Sequence, residues 1–224
     1  MLNDHVLTPL AGGKPSFAVI LLHGLGDSGA GLIDLGTAWR QGFPDTEFVA
    51  PDAPYPCDMA PFGFQWFSLQ DRSPTALMDG VRRAAPILDD YIDHIMKSRD
   101  LPAERVALVG FSQGSMMSLY VAPRRSPALA GVVAYSGALI GGETLRQQRQ
   151  SAPTVLLIHG MNDEVVPFEA MEQAERGLQS VNINATGIAR PGLGHSIDDV
   201  GLWEGGRFLR RVFETALHAP VPLG

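Results

Sequence analysis

A serine framed by glycines, a later aspartate and a still later histidine are the three parts of an acyl-transfer site, and this sequence holds them in that order. Gly110-Phe111-Ser112-Gln113-Gly114 follows the apolar run Val106 to Val109 and precedes a helix-compatible stretch from Ser115 to Tyr120. A G-x-S-x-G pentapeptide between a strand and a helix reads as a nucleophile elbow. The tight turn aims the serine Oγ out of the sheet, and glycines two residues either side avoid a collision. An inert serine in a sharp turn would carry the same five letters, so the rest of the chain has to decide.

In folds built around such an elbow the acid comes next and the histidine last. Between Ser112 and His195 the sequence has one aspartate, Asp163, placed just after the run Val155 to Ile158. Glu143, Glu164, Glu169, Glu172 and Glu175 are the alternatives, and Glu164 is the serious one. Among the later histidines, His159 precedes the acid and His218 lies in the tail of the last helix. His195 sits in Pro191-Gly192-Leu193-Gly194-His195, a glycine-rich loop from which an imidazole can approach a serine. The expected catalytic set is therefore Ser112, Asp163 and His195. For the oxyanion, His23-Gly24-Leu25-Gly26-Asp27 follows the run Phe17 to Leu22, and the backbone N–H groups of Leu25 and Gln113 are the expected donors.

The same loop offers a reading of another class. Gly24, Gly26 and Gly29 match the dinucleotide fingerprint G-x-G-x-x-G after a strand. That site needs an acid about 20 residues on, at the end of the second strand, to hold a ribose. Glu47 comes too early, Asp52 lies beyond Pro51, and the reading leaves Ser112, Asp163 and His195 unused.

These residues need a scaffold, and the hydrophobic pattern supplies one. Six short apolar runs, Phe17 to Leu22, Glu47 to Ala50, Val106 to Val109, Val132 to Tyr135, Val155 to Ile158 and Ile183 to Ala189, are mostly continuous, as in strands buried on both faces. Helical patterns alternate with them. One has Ser73 as cap and Pro74 in its first turn; another starts near Pro167; the last opens with Ser196-Ile197-Asp198-Asp199 as a capping box. Strands alternating with helices imply an α/β fold, a mainly parallel sheet with helices on both faces, whose ligands sit at the carboxyl ends of the strands. Residues 1–224 are read as a single domain. The irregular stretch Pro51 to Pro74 is a candidate wall for a substrate site.

Composition narrows the field. With 17 Lys+Arg against 24 Asp+Glu the formal charge is -7, and basic residues occur no denser than pairs, so nucleic acid is not an expected partner. One cysteine, Cys57, forms neither an intrachain disulfide nor a multi-cysteine zinc site, which fits a reducing compartment. The first residues lack a signal core, and the longest uncharged run, Ser126 to Gly142, is too short and broken to span a bilayer. A cytoplasmic location without a transmembrane segment is expected.

Taken together, Leu21-Leu22-His23-Gly24-Leu25-Gly26-Asp27, Ala50-Pro51-Asp52-Ala53-Pro54, Gln65-Trp66-Phe67, Gly110 to Gly114, His159-Gly160 through Asp163-Glu164-Val165-Val166-Pro167, and Gly192 to Ser196 resemble the carboxylesterase/phospholipase family that includes acyl-protein thioesterases. Their order is the family's, over about Ser16 to Leu217. The resemblance implies an α/β-hydrolase fold and a serine esterase acting through an acyl-enzyme, with Ser112, Asp163 and His195 as triad. Ser115 and Met161 depart from it, standing where a glycine and an acid are common. Only Gly137 to Ala152 separates two successive strands, which leaves no room for a cap domain.

Apolar walls are expected from Leu25, Phe64, Trp66, Met116, Val166 and Leu193. The expected substrates are small-molecule esters, lysolipids or acyl thioesters, with no metal or organic cofactor. The family's habit of pairing raises a homodimer as an expectation. The non-enzymatic alternative is an α/β-hydrolase-fold binding protein that kept the architecture without the chemistry. Because the histidine must start neutral, activity is expected to fall below about pH 6 to 7.

Overall fold

Phe17–Leu22 forms β2, and all six of its side chains are buried because alternate residues enter two different cores. Ala18, Ile20 and Leu22 face one cluster, and Phe17, Val19 and Leu21 face the other. This is why the run reads as continuous apolar sequence rather than as an alternating one. The coordinates, a computed structural model, describe residues 2–218.

In chain order the remaining elements are β1 (Asp4–Leu7), α1 (Gly29–Trp39), β3 (Thr46–Pro51), β4 (Tyr55–Pro56), β5 (Phe64–Gln65), α2 (Pro74–Arg99), β6 (Val106–Phe111), α3 (Gln113–Val121), β7 (Gly131–Tyr135), α4 (Gly142–Gln148), β8 (Thr154–Gly160), α5 (Glu169–Gln179), β9 (Ala185–Arg190) and α6 (Asp199–His218). Seven strands form one sheet in the order β1-β3-β2-β6-β7-β8-β9, and β4 pairs with β5 as a small hairpin. Within the large sheet only the β1–β3 pair is antiparallel. The chain leaves β2 for β3 on one side and then returns to β6 on the other. The crevice beyond the carboxyl ends of β2 and β6 is thus the topological switch point, where open α/β sheets bind ligands.

Helices α1 and α6 cover one face through Leu32, Trp39, Phe208 and Phe213. The other face carries α2, α3, α4 and α5 through Leu88, Met117, Leu145 and Leu178. The expected mainly parallel sheet with helices on both faces is what forms, and between β7 and β8 the chain builds only the short α4. At the outer edge strand β9, side chains of α5 occupy main-chain groups. Glu175 Oε1 accepts from the Gly187 N–H at 3.0 Å, and Gln179 Nε2 donates to the Ala185 carbonyl at 3.0 Å. Such cover blunts an edge that would otherwise pair with another chain.

Two local expectations are corrected. Helix α6 begins at Asp199 and is capped by Asp198, whose Oδ1 accepts from the Gly201 N–H at 2.8 Å, so Ser196 lies outside the helix and no Ser196 capping box forms. Strand β9 starts at Ala185, because the Ile183 N–H is turned back to Leu178 at 3.1 Å.

Candidate active site

The turn after β6 puts Ser112 at φ 53°, ψ -114°, a left-handed backbone that costs a non-glycine residue on the order of 1–3 kcal/mol. The surroundings enforce it. The Ser112 N–H donates to the Tyr135 carbonyl at 2.9 Å, tying the turn to the end of β7, and the Ser112 carbonyl accepts from Met116 N–H at 3.1 Å as α3 begins. A Cβ at Gly110 would overlap the Gly114 backbone, and one at Gly114 would overlap the Leu22 carbonyl of β2. Both glycines are therefore required where the elbow crosses the sheet.

Asp163 follows β8 and His195 follows β9. His195 Nδ1 lies 2.7 Å from Asp163 Oδ2, and His195 Nε2 lies 3.0 Å from Ser112 Oγ. A carboxylate only accepts, so Nδ1 carries the proton and Nε2 is free to accept from the hydroxyl. Glu164, the rival acid, is exposed, and the carboxylate that meets His195 is that of Asp163. The loops that carry acid and base are bound to each other directly. Met161 N–H donates to the Arg190 carbonyl at 3.0 Å and Asn162 N–H to the Leu193 carbonyl at 2.9 Å. Gly160 permits this approach, because a Cβ there would overlap the Leu193 and Gly194 carbonyls. The ring of Phe111 packs against the His195 imidazole, centroids 4.9 Å apart.

Burial works to raise the Asp163 pKa, but the His195 hydrogen bond and the Val166 and Val165 N–H groups outweigh it and hold the carboxyl below its ordinary value. Both amides donate to Asp163 Oδ1 at 2.9 Å. A second imidazole stands behind the acid: buried His159 places Nε2 2.9 Å from the Val166 carbonyl and 3.3 Å from Asp163 Oδ2. A carbonyl only accepts, so this nitrogen carries the proton. In sequence, His159 is excluded as the base by its position ahead of the acid, and its supporting place appears only in three dimensions.

The loop after β2 lies against the elbow, with a Cβ position on Gly24 only 3.3 Å from Ser112 Cβ. His23 organises that loop from inside the core. Its Nε2 accepts from the Ala53 N–H at 2.9 Å, so Nδ1 is the donor, to the Gly24 carbonyl at 2.6 Å. Burial lowers the His23 pKa, against smaller raising effects of the Gly24 carbonyl, Asp27 and Asp52. Gly26 N–H donates to Phe64 and Asp27 N–H to Gly24. Among the described residues the Leu25 and Gln113 N–H groups find no intramolecular acceptor. The dinucleotide reading of Gly24, Gly26 and Gly29 fails here on charge: Asp52 Oδ1 already accepts from the Gly29 N–H at 2.9 Å, placing a carboxylate where a pyrophosphate would have to sit.

The apolar residues expected to line a pocket have framework contacts as well. Trp66 differs most from expectation: it has no exposed surface, and its indole N–H donates to the His23 carbonyl at 3.1 Å. A buried indole needs an acceptor, and with no exposed surface the ring serves the framework and not an open wall. The Gln113 side chain completes the frame, accepting from Trp66 N–H at 2.8 Å and donating to the Phe67 carbonyl at 2.7 Å. Phe64 and Leu193 are half-buried, as is Leu25, while Met116 and Val166 are 8% exposed. Among the described residues there is no cluster of three metal-ligating side chains, and no helix is long and apolar enough to cross a membrane.

Known proteins share this arrangement of chain. The profile of the phospholipase/carboxylesterase family matches residues 5–212. Acyl-protein thioesterase 1 homolog 1 of Dictyostelium discoideum is 32% identical over 188 residues, 80% of this chain and 83% of that protein. Esterase YpfH of Escherichia coli (strain K12) is 29% identical over 200 residues, 89% of this chain and 84% of that protein. Among solved structures, esterase PE8 superposes with a TM-score of 0.91 at 39% identity, over 94% of this chain and 99% of that chain.

Proposed function

From its membership of the phospholipase/carboxylesterase family, with an α/β-hydrolase fold, the chain is a hydrolase of ester or thioester substrates, and we propose that it works through Ser112 as nucleophile, His195 as general base and acid, and Asp163 as the group that orients the imidazole. The observation that carries this reading is the unbroken line of hydrogen bonds from Asp163 through His195 to Ser112.

In the proposed cycle Ser112 Oγ attacks the acyl carbonyl while its proton passes to His195 Nε2. The tetrahedral oxyanion is held by the Leu25 and Gln113 N–H groups, donors of a kind worth about 3–4 kcal/mol of transition-state stabilisation each. The imidazolium then protonates the departing alkoxide or thiolate, leaving an acyl-serine. Water gives its proton to His195 and attacks the acyl-enzyme, and the imidazolium returns a proton to Ser112 Oγ as the acid departs.

Acyl chains on a bulky leaving group, such as lysolipids or acylated proteins, suit a site without a cap, and exposed Met161 and Val165 add apolar surface beside Asp163. Phe64, Met116, Val166, Leu193 and Leu25 are the proposed walls. The relatives named esterase and acyl-protein thioesterase support both ester and thioester substrates.

The test is labelling by a serine-directed fluorophosphonate together with a p-nitrophenyl ester chain-length series, a lysophospholipid and an acyl thioester. Wild-type protein is expected to label and turn over, and Ser112→Ala to lose labelling and at least about 10³-fold in kcat. Labelling that survives in Ser112→Ala, or wild-type protein that binds esters without cleaving them, overturns the reading in favour of another nucleophile or of a binding protein.

A further inference from the structure

The loop that delivers His195 is closed at its base by a charged fork that the proton relay above does not itself use. Arg190 ends β9 and Asp198 caps α6, and everything between them is loop. Arg190 Nε lies 3.2 Å from Asp198 Oδ1 and 3.0 Å from Oδ2, and Nη2 lies 2.8 Å from Oδ2. Two-pronged contact of this kind fixes angle as well as distance. The two side chains are 20% and 29% exposed, so the pair is half-buried.

Beyond its contacts with the Asp163 loop, Phe111 and Ser112, the loop has few constraints of its own. Gly192 has φ 74° with open space where a Cβ would stand, and the recorded main-chain anchors of the tip are Leu193 to Arg190, Asn162 to Leu193 and Ser196 to Gly194. The start of α6 is by contrast fixed to the core. Tyr135 OH donates to the Gly201 carbonyl at 2.9 Å and Trp39 Nε1 to the Leu202 carbonyl at 2.9 Å. Asp198 joins these two regimes, since the carboxylate that caps the anchored helix also grips the last residue of β9.

We propose that the Arg190–Asp198 fork is a latch that sets the reach of the His195 imidazole, which makes Arg190 and Asp198 positioning residues for proton transfer. The inference rests on the assignment of Ser112, His195 and Asp163. His195 must meet partners on two other loops at 2.7 and 3.0 Å, and a misplacement of about 1 Å can cost as much as 100-fold in rate. Releasing the fork leaves the strand end free to shift against the helix start, and the loop tip follows.

The experiment compares Arg190→Gln, Asp198→Asn and the double variant, with asparagine chosen because it caps a helix as well as aspartate does. Each single variant is expected to lose about tenfold in kcat on p-nitrophenyl acetate with little change in KM. The double variant is expected to fall no further, because both changes open one contact. The downfield proton resonance of the His195–Asp163 hydrogen bond should broaden or shift in all three, while the unfolding midpoint stays near wild type. Arg190→Lys keeps the charge without the fork and should recover part of the rate. A folded Arg190→Gln with wild-type kcat and an unmoved downfield proton overturns the latch; should Arg190→Gln not fold, the same two wild-type readings in Arg190→Lys and Asp198→Asn overturn it. The underlying assignment fails separately, by wild-type hydrolysis in Ser112→Ala.

Discussion

Gln113 does two jobs that one residue type can combine. Its main-chain N–H is the proposed oxyanion donor, and its side-chain amide accepts from Trp66 and donates to Phe67, stapling the segment after β5 to the start of α3. Each partner left bare in a buried site costs about 1–3 kcal/mol. Gln113→Ala is therefore expected to lose about 2–4 kcal/mol in denaturant unfolding while its own backbone donor survives. An unchanged unfolding curve would remove the staple from the account. The elbow was legible in sequence because Gly110, Ser112 and Gly114 obey a local steric rule, and Asp163 and His195 were legible from their order. His23, His159 and the Gln113 side chain were not, since each earns its place through contacts across the fold: Ala53 and Gly24 for His23, Val166 for His159, Trp66 and Phe67 for Gln113.

At the scale of elements, the site is assembled from the ends of neighbouring parallel strands. β6 carries Ser112, β7 holds its N–H through Tyr135, β8 leads to Asp163 and β9 to His195. The β8 and β9 loops touch so closely that Gly160 is the contact point, and Gly160→Ala is expected to part them. Steady-state kinetics should show kcat down about 10- to 100-fold, and circular dichroism should show the helices and strands intact. Full activity in Gly160→Ala would mean that the two loops can part without moving the imidazole.

The strands of the central sheet were readable because burial on both faces makes them continuous apolar runs. β1 was missed, being a short edge strand whose side chains are mostly half-exposed, and so was α1, which contains Gly29, Gly31 and Gly36 and has weak intrinsic helix preference. α1 forms because it packs tightly on the sheet, with a Cβ position on Gly36 2.8 Å from Phe48 Cβ.

Across the whole molecule, buried ionisable groups couple stability to pH. His23 has its pKa lowered by burial from the ordinary 6.5, so below that value the unfolded chain takes up a proton that the folded chain refuses. The unfolded state then binds more protons, and stability falls as pH drops from about 6.5 toward the folded pKa. Asp163, held below 3.8, contributes stability that is intact above that value and disappears as pH falls through its lower folded pKa. Thermal unfolding between pH 7 and 5 is expected to show the first decline in wild-type protein and a flatter profile in His23→Gln; equal slopes would mean that His23 is not its source.

The strand order also has a consequence in time. Ser112 and His195 are 83 positions apart, and His195 belongs to the last strand-to-helix connection. On the proposed assignment a growing polypeptide on the ribosome carries its nucleophile long before the histidine able to switch it on, so hydrolysis of surrounding esters is expected only once residue 195 has emerged.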